Sequence, residues 1–461
     1  MNGLRQPACA ALVVALTGCA TMIPNYQRPA APVAAAFPGS KQQPAATAAS
    51  DIDWRDYFGD PRLKRLIEAA LRNNRDLRVA VLNIEQARAQ YQIRRADELP
   101  TVGIGVTASR QPTGRGGIAS TYTAGLAVAA YELDFFGRVR SLSEAALAQY
   151  MGTEEARRNV QIALVSSVAS TYLNMVAGDE LLALARRALV TREESFRLLK
   201  LKYDVGAASE LDYRQAESLL EGTRAALAQL NRQRALDENA LVLLLGQPLP
   251  AELPQGSSLS AQGLIRELPV GVPSEVLTRR PDVRLAEQQL IAANASIGAA
   301  RAAFFPRITL TGSAGTASSE LSGLFKSGSG AWSFAPQLLL PIFDSGRAQA
   351  GLDAANVSRD IALAHYEKAI QTAFREVADA LAGRATLAGQ RRALEAQANA
   401  EEARLRLAEL RYRNGAASYL DVLDAERSLF AAQQAVVQVH AQQVQNQVTI
   451  YKVLGGGWKT P

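Results

Sequence analysis

The chain writes one short stretch twice. Residues 206–212 read GAASELD and residues 415–421 read GAASYLD, 209 positions apart. The flanks repeat at that spacing: Tyr203 falls on Tyr412, Ala216-Glu217 on Ala425-Glu426, and Gly137-Arg138 on Gly346-Arg347. Upstream, LRNNRDLRVA (71–80) resembles LTRRPDVRLA (277–286), and Pro100 falls on Pro306, at an offset of 206. One unit of about two hundred residues has been duplicated. That period is far longer than the 20–50 residues of solenoid repeats. The chain is therefore expected to build one pseudo-symmetric body from two copies of one unit, at 60–245 and 276–454, joined by a linker over 246–275 and followed by a tail, 455–461.

Each copy has the same internal order. The first opens with a helical pattern from Pro61 to about Asp97, with Leu63, Leu66, Ile67 and Leu71 on one face. Two extended runs follow, TVGIGVTASRQ and STYTAGLAVAAYELDFF, separated by the turn-rich PTGRGG. The second copy supplies PRITLTGSAGT and AWSFAPQLLLP around the loop SGLFKSGSG. Strands of about ten residues have the length a tilted strand needs to cross a bilayer. Aromatics gather near their ends: Tyr131, Phe135 and Phe136; Phe304 and Phe305; Trp332 and Phe343. Interfacial girdles have that composition, although two soluble hairpins would share the strand pattern.

After Gly137-Arg138 a helical pattern runs to about Tyr203, weakly interrupted near Gly152 and Gly178. A helix of that length would span roughly 100 Å. Gly206 supplies a turn, and a returning helix runs from about Leu211 to Leu245. The second copy has helices from Gly346 to Tyr412 and from Leu420 to Leu454 around Gly415. On the returning helices Ala216, Leu220, Thr223, Leu227 and Leu230 step by four, three, four, three, and Ala425, Leu429, Ala432, Val436 and Val439 repeat those steps. This is the spacing of a coiled-coil seam. The stretch GQPLPAELPQGSSLSAQGLIRELPVGVP between the copies is Pro-, Gly- and Ser-rich and reads as a belt, with the segment after Asp379 to about Arg392 a candidate to join it.

The N-terminus has Arg5, the apolar run ACAALVVAL, then LTGC (16–19). The run is too short for a membrane helix and reads as a signal-peptide core over 1–18. LTGC resembles a lipobox, in which cleavage precedes the cysteine and Cys19 is acylated. Cleavage there discards Cys9, leaves no free thiol and removes Arg5, lowering the formal charge from +6 to +5. A Pro/Ala-rich tether over 19–59 follows. No other run looks apolar enough for a membrane helix, so a crossing must use strands in a closed barrel.

Four strands cannot close a barrel, since closed barrels have at least eight. Three chains would supply twelve. The expected fold is mainly α with a small β part: long coiled-coil hairpins forming a trimeric α-barrel, capped by a 12-stranded transmembrane β-barrel with four strands per chain. The GAAS turns would then lie at the tips of two helical hairpins per protomer.

These features together resemble the TolC family of outer membrane factors, in its lipoprotein (NodT-like) branch serving RND-type efflux pumps. LPVGVPSEVLTRRPDVRLAE (268–287) is the most specific part, with ARAAFFP (300–306), YKVLGGGW (451–458) and PNYQRP (24–29) beside it. The resemblance implies a homotrimeric duct, lipid-anchored in the outer membrane of a Gram-negative bacterium and extending into the periplasm. It implies a periplasmic adaptor and an inner-membrane transporter as partners. Adaptor contact falls on Val205, Gly206, Ala207 and Ser209, and on Gly415, Ala416 and Ser418; the plain alternative is a helix-to-helix turn. Asp421 and Asp424 match positions that project carboxylate rings into the periplasmic entrance, unless Asp421 only caps its helix as Asp212 would in the first copy. Tyr412 and Asp212 match members of an inter-helix latch, but the latch arginine is replaced by Ala417.

An enzyme is disfavoured: His365 and His440 lie on long helical patterns with no metal-ligand spacing or nucleophile motif, and no cofactor is implied. Nucleic-acid binding is disfavoured because no compact basic cluster accompanies the modest net charge. The functional expectation is efflux of drugs or other small toxic compounds. A duct for metal ions or secreted protein, and a non-channel coiled-coil lipoprotein, are the alternatives.

Overall fold

The computed structural model describes residues 21–38, 49–114, 116–264, 268 and 278–458. The leader, Cys9, Cys19 and residues 269–277 of the 268–287 stretch lie outside the described residues. The order of elements is α1 (Trp54–Tyr57), α2 (Pro61–Asn73), α3 (Arg75–Ala96), β1 (Val102–Pro112), β2 (Ile118–Glu132), α4 (Arg138–Asp204) and α5 (Glu210–Leu245), then α6 (Pro281–Ala302), β3 (Arg307–Ser318), β4 (Gly330–Leu339), α7 (Arg347–Arg413) and α8 (Tyr419–Val453). The chain is mainly helical with a small sheet, as expected. The helices α4 and α7 have 67 residues each. Gly152 and Gly178 lie inside α4 without breaking it.

Three expectations are corrected. The helical run 61–97 is two helices, parted at Asn74. This buried side chain accepts from the Leu77 N–H at 2.9 Å, capping α3, and donates to the Leu244 carbonyl at 2.9 Å. Residues 379–392 are continuous helix within α7, with no loop or loosely structured break. Gly383 sits there because a Cβ would lie 2.5 Å from Asn446 Oδ1, and Asn446 in turn donates to the Ala380 carbonyl at 3.0 Å. Finally, α4 does contain a stretch long and apolar enough to suit a membrane helix. Its Val165, Val168, Ala169 and Leu173 are buried in the protein core, which accounts for an apolar sequence without lipid.

Contacts divide the chain into two compact units, each drawing on both copies. The first holds 1–31, 81–156 and 282–369, and contains the sheet. Its strands form an antiparallel meander in sequence order, β1-β2-β3-β4. Opposed residues share a face. One face carries Val102, Ile104 and Val106 opposite Val128, Leu126 and Ala124, with Trp332 and Phe334 on β4. The other carries Thr107 opposite Thr123 and Ser313 opposite Ser333, hydroxyl to hydroxyl at 2.5 and 2.7 Å. Thus the period-2 pattern yields one apolar and one small, hydroxyl-rich face. A bulge between Val128 and Tyr131 puts Ala130 at φ 49° and shifts the register against β3.

The second unit holds 32–80, 157–281 and 370–461. Asp60 caps α2, its Oδ1 accepting from the Arg62 N–H at 2.8 Å, with Pro61 as first helical residue. The Tyr172 hydroxyl donates to the other Asp60 oxygen at 2.7 Å. Around this lie Trp54, Tyr57, Phe58, Leu63, Leu66, Ile67, Leu173, Leu241 and Leu245, all with under 2% exposure. Burying each such side chain contributes about 1.5–3 kcal/mol. Tyr57 stacks on Tyr451 at 4.1 Å, and Tyr451 donates to the Ile52 carbonyl at 2.6 Å. The YKVLGGGW ending is thereby core, with Arg158 over the Trp458 ring at 4.8 Å. In the 277–286 stretch, Arg280 donates to the Val453 carbonyl at 3.0 Å and to Glu376 at 2.7 Å.

Candidate functional site

The two repeated turns are the same backbone motif. At the first, the Gly206 N–H donates to the Tyr203 carbonyl at 2.9 Å and the Ala207 N–H to the Lys202 carbonyl at 2.7 Å. At the second, Gly415 donates to Tyr412 at 2.9 Å and Ala416 to Arg411 at 2.8 Å. This pair of bonds is a Schellman cap, which requires a left-handed residue. The glycines supply it at φ 73° and 70°. A Cβ added at either would meet nothing within 4 Å, so conformation demands glycine here and crowding does not.

Beyond the backbone the copies diverge. Ser209 caps α5, its hydroxyl accepting from the Asp212 N–H at 3.1 Å and donating to the Asp212 carboxylate at 2.7 Å. Ser418 starts α8 without a side-chain cap bond. Asp212 is thus tied to its own turn. Val205, Gly206, Ala207, Ser209, Gly415, Ala416 and Ser418 are all exposed, with Val205 at 70%. Behind the tips, Leu199, Ala216 and Leu423 form a small core, with Phe196, Ala208, Leu219 and Tyr419 against it.

Tyr412 does not meet Asp212 among the contacts seen; Lys202 Nζ donates to its hydroxyl at 2.5 Å. This bond ties the end of α4 to the end of α7. Ala417, at the position of the latch arginine, offers no cation; Lys202 lies on the other hairpin. Sequence reasoning missed Lys202, though the repeat held a signal: LKYDVGAAS (201–209) aligns with LRYRNGAAS (410–418), a basic residue before the tyrosine in both.

Asp421 is exposed in the first turn of α8. Asp424 is clasped by Arg404 of α7 at 2.6 Å and by Arg427 one turn on. The Arg404 hydrogen bond holds its carboxyl below the usual aspartate range, with Arg427 adding to the effect. Two residues on, Glu426 is buried. Burial pushes its carboxyl up, and its Oε2 has no hydrogen-bond partner. It borders a crevice of about 160 Å³ lined by Leu184, Arg192, Leu405 and Phe430. Arg192, itself buried, bonds Thr223 and lies over Phe430 at 4.8 Å. His440 is half-buried, and burial pushes its imidazole down. Among the described residues no cluster of His, Cys, Asp or Glu could hold a metal ion.

The sheet is the second functional feature. Its β4 is exposed along its length, with Trp332 at 80%, and Ile104 on β1 is 83% exposed. All four strands join helices at one end. There Glu132 pairs with Arg138 and Arg307, both at 2.7 Å, and Phe136 stacks on Phe305 at 4.8 Å. At the hairpin end Phe325 is 80% exposed in the β3–β4 loop, an aromatic the sequence reading passed over.

Comparison with known proteins agrees with this architecture. The family described as "Outer membrane efflux protein" matches residues 66–247 and again 272–456. The toluene efflux pump outer membrane protein TtgC of Pseudomonas putida is 49% identical over 454 residues, covering 96% of this chain and 93% of that protein. Outer membrane protein OprJ of Pseudomonas aeruginosa is 47% identical, covering 99% and 97%. The open-state crystal structure of the MtrE outer membrane channel of Neisseria gonorrhoeae superposes with a TM-score of 0.88 at 45% identity, covering 95% and 99%. The chain is therefore an outer membrane channel component of efflux systems and not an enzyme: it belongs to the outer membrane efflux protein family.

Proposed function

We propose that three copies of this chain form a duct through which a tripartite pump expels drugs and other small toxic compounds. A periplasmic adaptor and an inner-membrane RND-type transporter complete the pump. The observation that carries this reading is the sheet. Four strands leave two open edges, and one face exposes Ile104, Leu126, Trp332 and Phe334. Unpaired edges are prohibitive in lipid, so copies must close them. Three copies give twelve strands, with the apolar face toward lipid and the Thr/Ser face toward the lumen. Exposed Val79, Leu82 and Ile93 on α3, and Val357 and Ile361 on α7, supply further apolar surface for neighbouring copies. The name of the Pseudomonas putida relative, a toluene pump component, supports small apolar cargo.

In this reading the exposed turns at Gly206 and Gly415 meet the adaptor. Asp421 and Asp424 line the periplasmic entrance; three-fold symmetry brings the Asp421 carboxylates together, where they attract cations, while Asp424 is neutralised by Arg404 and Arg427. Lys202 and Tyr412 hold the two hairpins of a protomer together at that entrance. The lipid anchor is Cys19. The test is conductance in planar bilayers together with native mass spectrometry. Three copies and a discrete conductance are expected, and Asp421→Ala should weaken block by multivalent cations. A stable monomer that inserts without conducting would favour a structural lipoprotein.

A further inference from the structure

The crevice beside Glu426 lies within the second compact unit, between the two hairpins of one protomer. Leu184, Ala188 and Arg192 step by four along α4, and Glu426, Leu429 and Phe430 step by three and one along α8, so each helix turns one face to it. Leu405 of α7 adds a third wall. Two ionisable side chains of opposite sign are set into this largely apolar lining: Arg192 is 5% exposed and Glu426 9%. No ion pair joins them among the described residues. Arg192 bonds the Thr223 hydroxyl and lies over the Phe430 ring. Glu426 Oε1 accepts from the Ser195 hydroxyl at 3.5 Å, long for such a bond, and Oε2 has no partner. Buried groups of this kind are normally paired or bridged. The duplication shows that the arrangement is no by-product of the repeated fold. At the offset of 209, Glu217 stands for Glu426, Glu401 for Arg192 and Glu221 for Phe430. Each of those three is salt-bridged within its own helix, to Arg214, Arg404 and Arg224 at 2.9, 3.2 and 2.7 Å. Where one copy has three carboxylates in ordinary surface pairs, the other has a buried cation, an aromatic ring and a buried acid.

We propose that this crevice binds a small neutral aryl alcohol, of the phenol or benzyl alcohol class, through Arg192 and Glu426. The lining selects the class. One hydroxyl can accept from the guanidinium and donate to the carboxylate at once. An ionised acid would be repelled by Glu426, an ammonium would be repelled by Arg192 and by Arg187 at the rim, and a ketone has nothing to donate. The volume of about 160 Å³ sets the size, since an apolar cavity of about 150 Å³ takes one benzene ring. The ring rests against Leu184, Leu405 and Leu429. A rigid ring also loses less freedom on binding than a flexible chain of equal size. The occupant touches α4, α7 and α8 and so joins the two hairpins. The site belongs to a single protomer, and it stands whether or not the duct carries small apolar cargo.

The experiment titrates 4-fluorophenol into the full-length protein in detergent and follows it by fluorine NMR. Partition into micelles does not saturate and is the same for every variant, so the saturable part reports the site. Wild type should show saturable binding of one probe per chain. Fluorobenzene, which lacks the hydroxyl, and 4-fluorobenzoate, which is charged, should each bind about tenfold more weakly or worse, as expected for losing charge-assisted hydrogen bonds. Ala188→Leu fills the crevice from α4 and should remove the saturable part. Glu426→Ala should weaken it about tenfold or more, and Glu217→Ala, at the matching place in the other copy, should leave it unchanged. The site is overturned if wild type shows only the unsaturable part, if fluorobenzene binds as tightly as 4-fluorophenol, or if Ala188→Leu titrates like wild type. Native mass spectrometry checks that each variant assembles. Should Ala188→Leu not assemble, Glu426→Ala decides, and an affinity equal to wild type there overturns the site.

Discussion

Removing one oxygen, in Tyr412→Phe, isolates the contact between the two hairpins. It deletes the acceptor of the Lys202 bond at 2.5 Å and keeps the ring, which lies edge-on to Tyr419 at 4.8 Å. A hydrogen bond to a charged group contributes about 1.5–3 kcal/mol where sheltered. Both residues are only half-buried, and solvent screening brings this to about 1 kcal/mol. One such contact shifts a closed–open equilibrium about fivefold. Three contacts breaking together in a trimer would total about 3 kcal/mol, roughly 150-fold. Single-channel recording should therefore show open probability rising between these limits, with Lys202→Met acting alike. The duplication supplies the control. Tyr203 occupies the matching place in the first copy but stacks on Tyr213 at 5.2 Å, so Tyr203→Phe keeps its contact and should leave gating unchanged. If Tyr412→Phe and Lys202→Met both gate like wild type, the bond is not a latch.

Three further outcomes follow from the same geometry. Ala207→Glu and Ala416→Glu, on exposed tips, should leave trimer yield and melting unchanged while abolishing adaptor crosslinking and raising drug susceptibility; wild-type crosslinking would reduce the repeated turns to structure alone. Asn74→Ala strips the cap from α3 and the donor from the Leu244 carbonyl, costing about 2 kcal/mol, and should lower the melting temperature without altering conductance. Glu426 tests the pH dependence. Its folded carboxyl is pushed up by burial, so its contribution to stability is full below the ordinary glutamate range and is lost as pH rises through the raised value. Glu426→Gln should melt higher than wild type near about pH 7 and match it near about pH 4; a pH-independent difference would defeat this account.

Much of the fold was legible because its signals are local and written twice. The turns at Gly206 and Gly415, the seams through Ala216 and Ala425, and the strand alternation each need only a few neighbouring residues. What was hidden depended on partners far along the chain. Asn74 splits a helix without Gly or Pro, because its side chain caps α3 and reaches the Leu244 carbonyl. Gly383 looks like a breaker but makes room for Asn446. Asp424 reads as a free carboxylate until folding brings Arg404 from α7 beside it.

The deeper limit is that duplication describes what the copies share, whereas the chemistry of each tip depends on where they differ. Both turns are the same Schellman cap, so the backbone of each tip is set by Gly206 or Gly415. Yet the first turn is closed upon itself: Ser209 and Asp212 satisfy each other, and Tyr203 stacks within its own hairpin. The second is tied differently: Ser418 makes no side-chain cap, Tyr412 lies edge-on to Tyr419 of its own hairpin while accepting from a lysine of the other, and Arg404 of α7 holds Asp424 of α8. Each hairpin is thus internally tied, and the Lys202–Tyr412 bond joins the two. A perfect repeat would make all six tips of a trimer equivalent and would have to move them together. The divergence at Ser418, Tyr412 and Asp424 makes the two tips of a protomer chemically distinct, and the carboxylate with its two arginines lies on α7 and α8 alone.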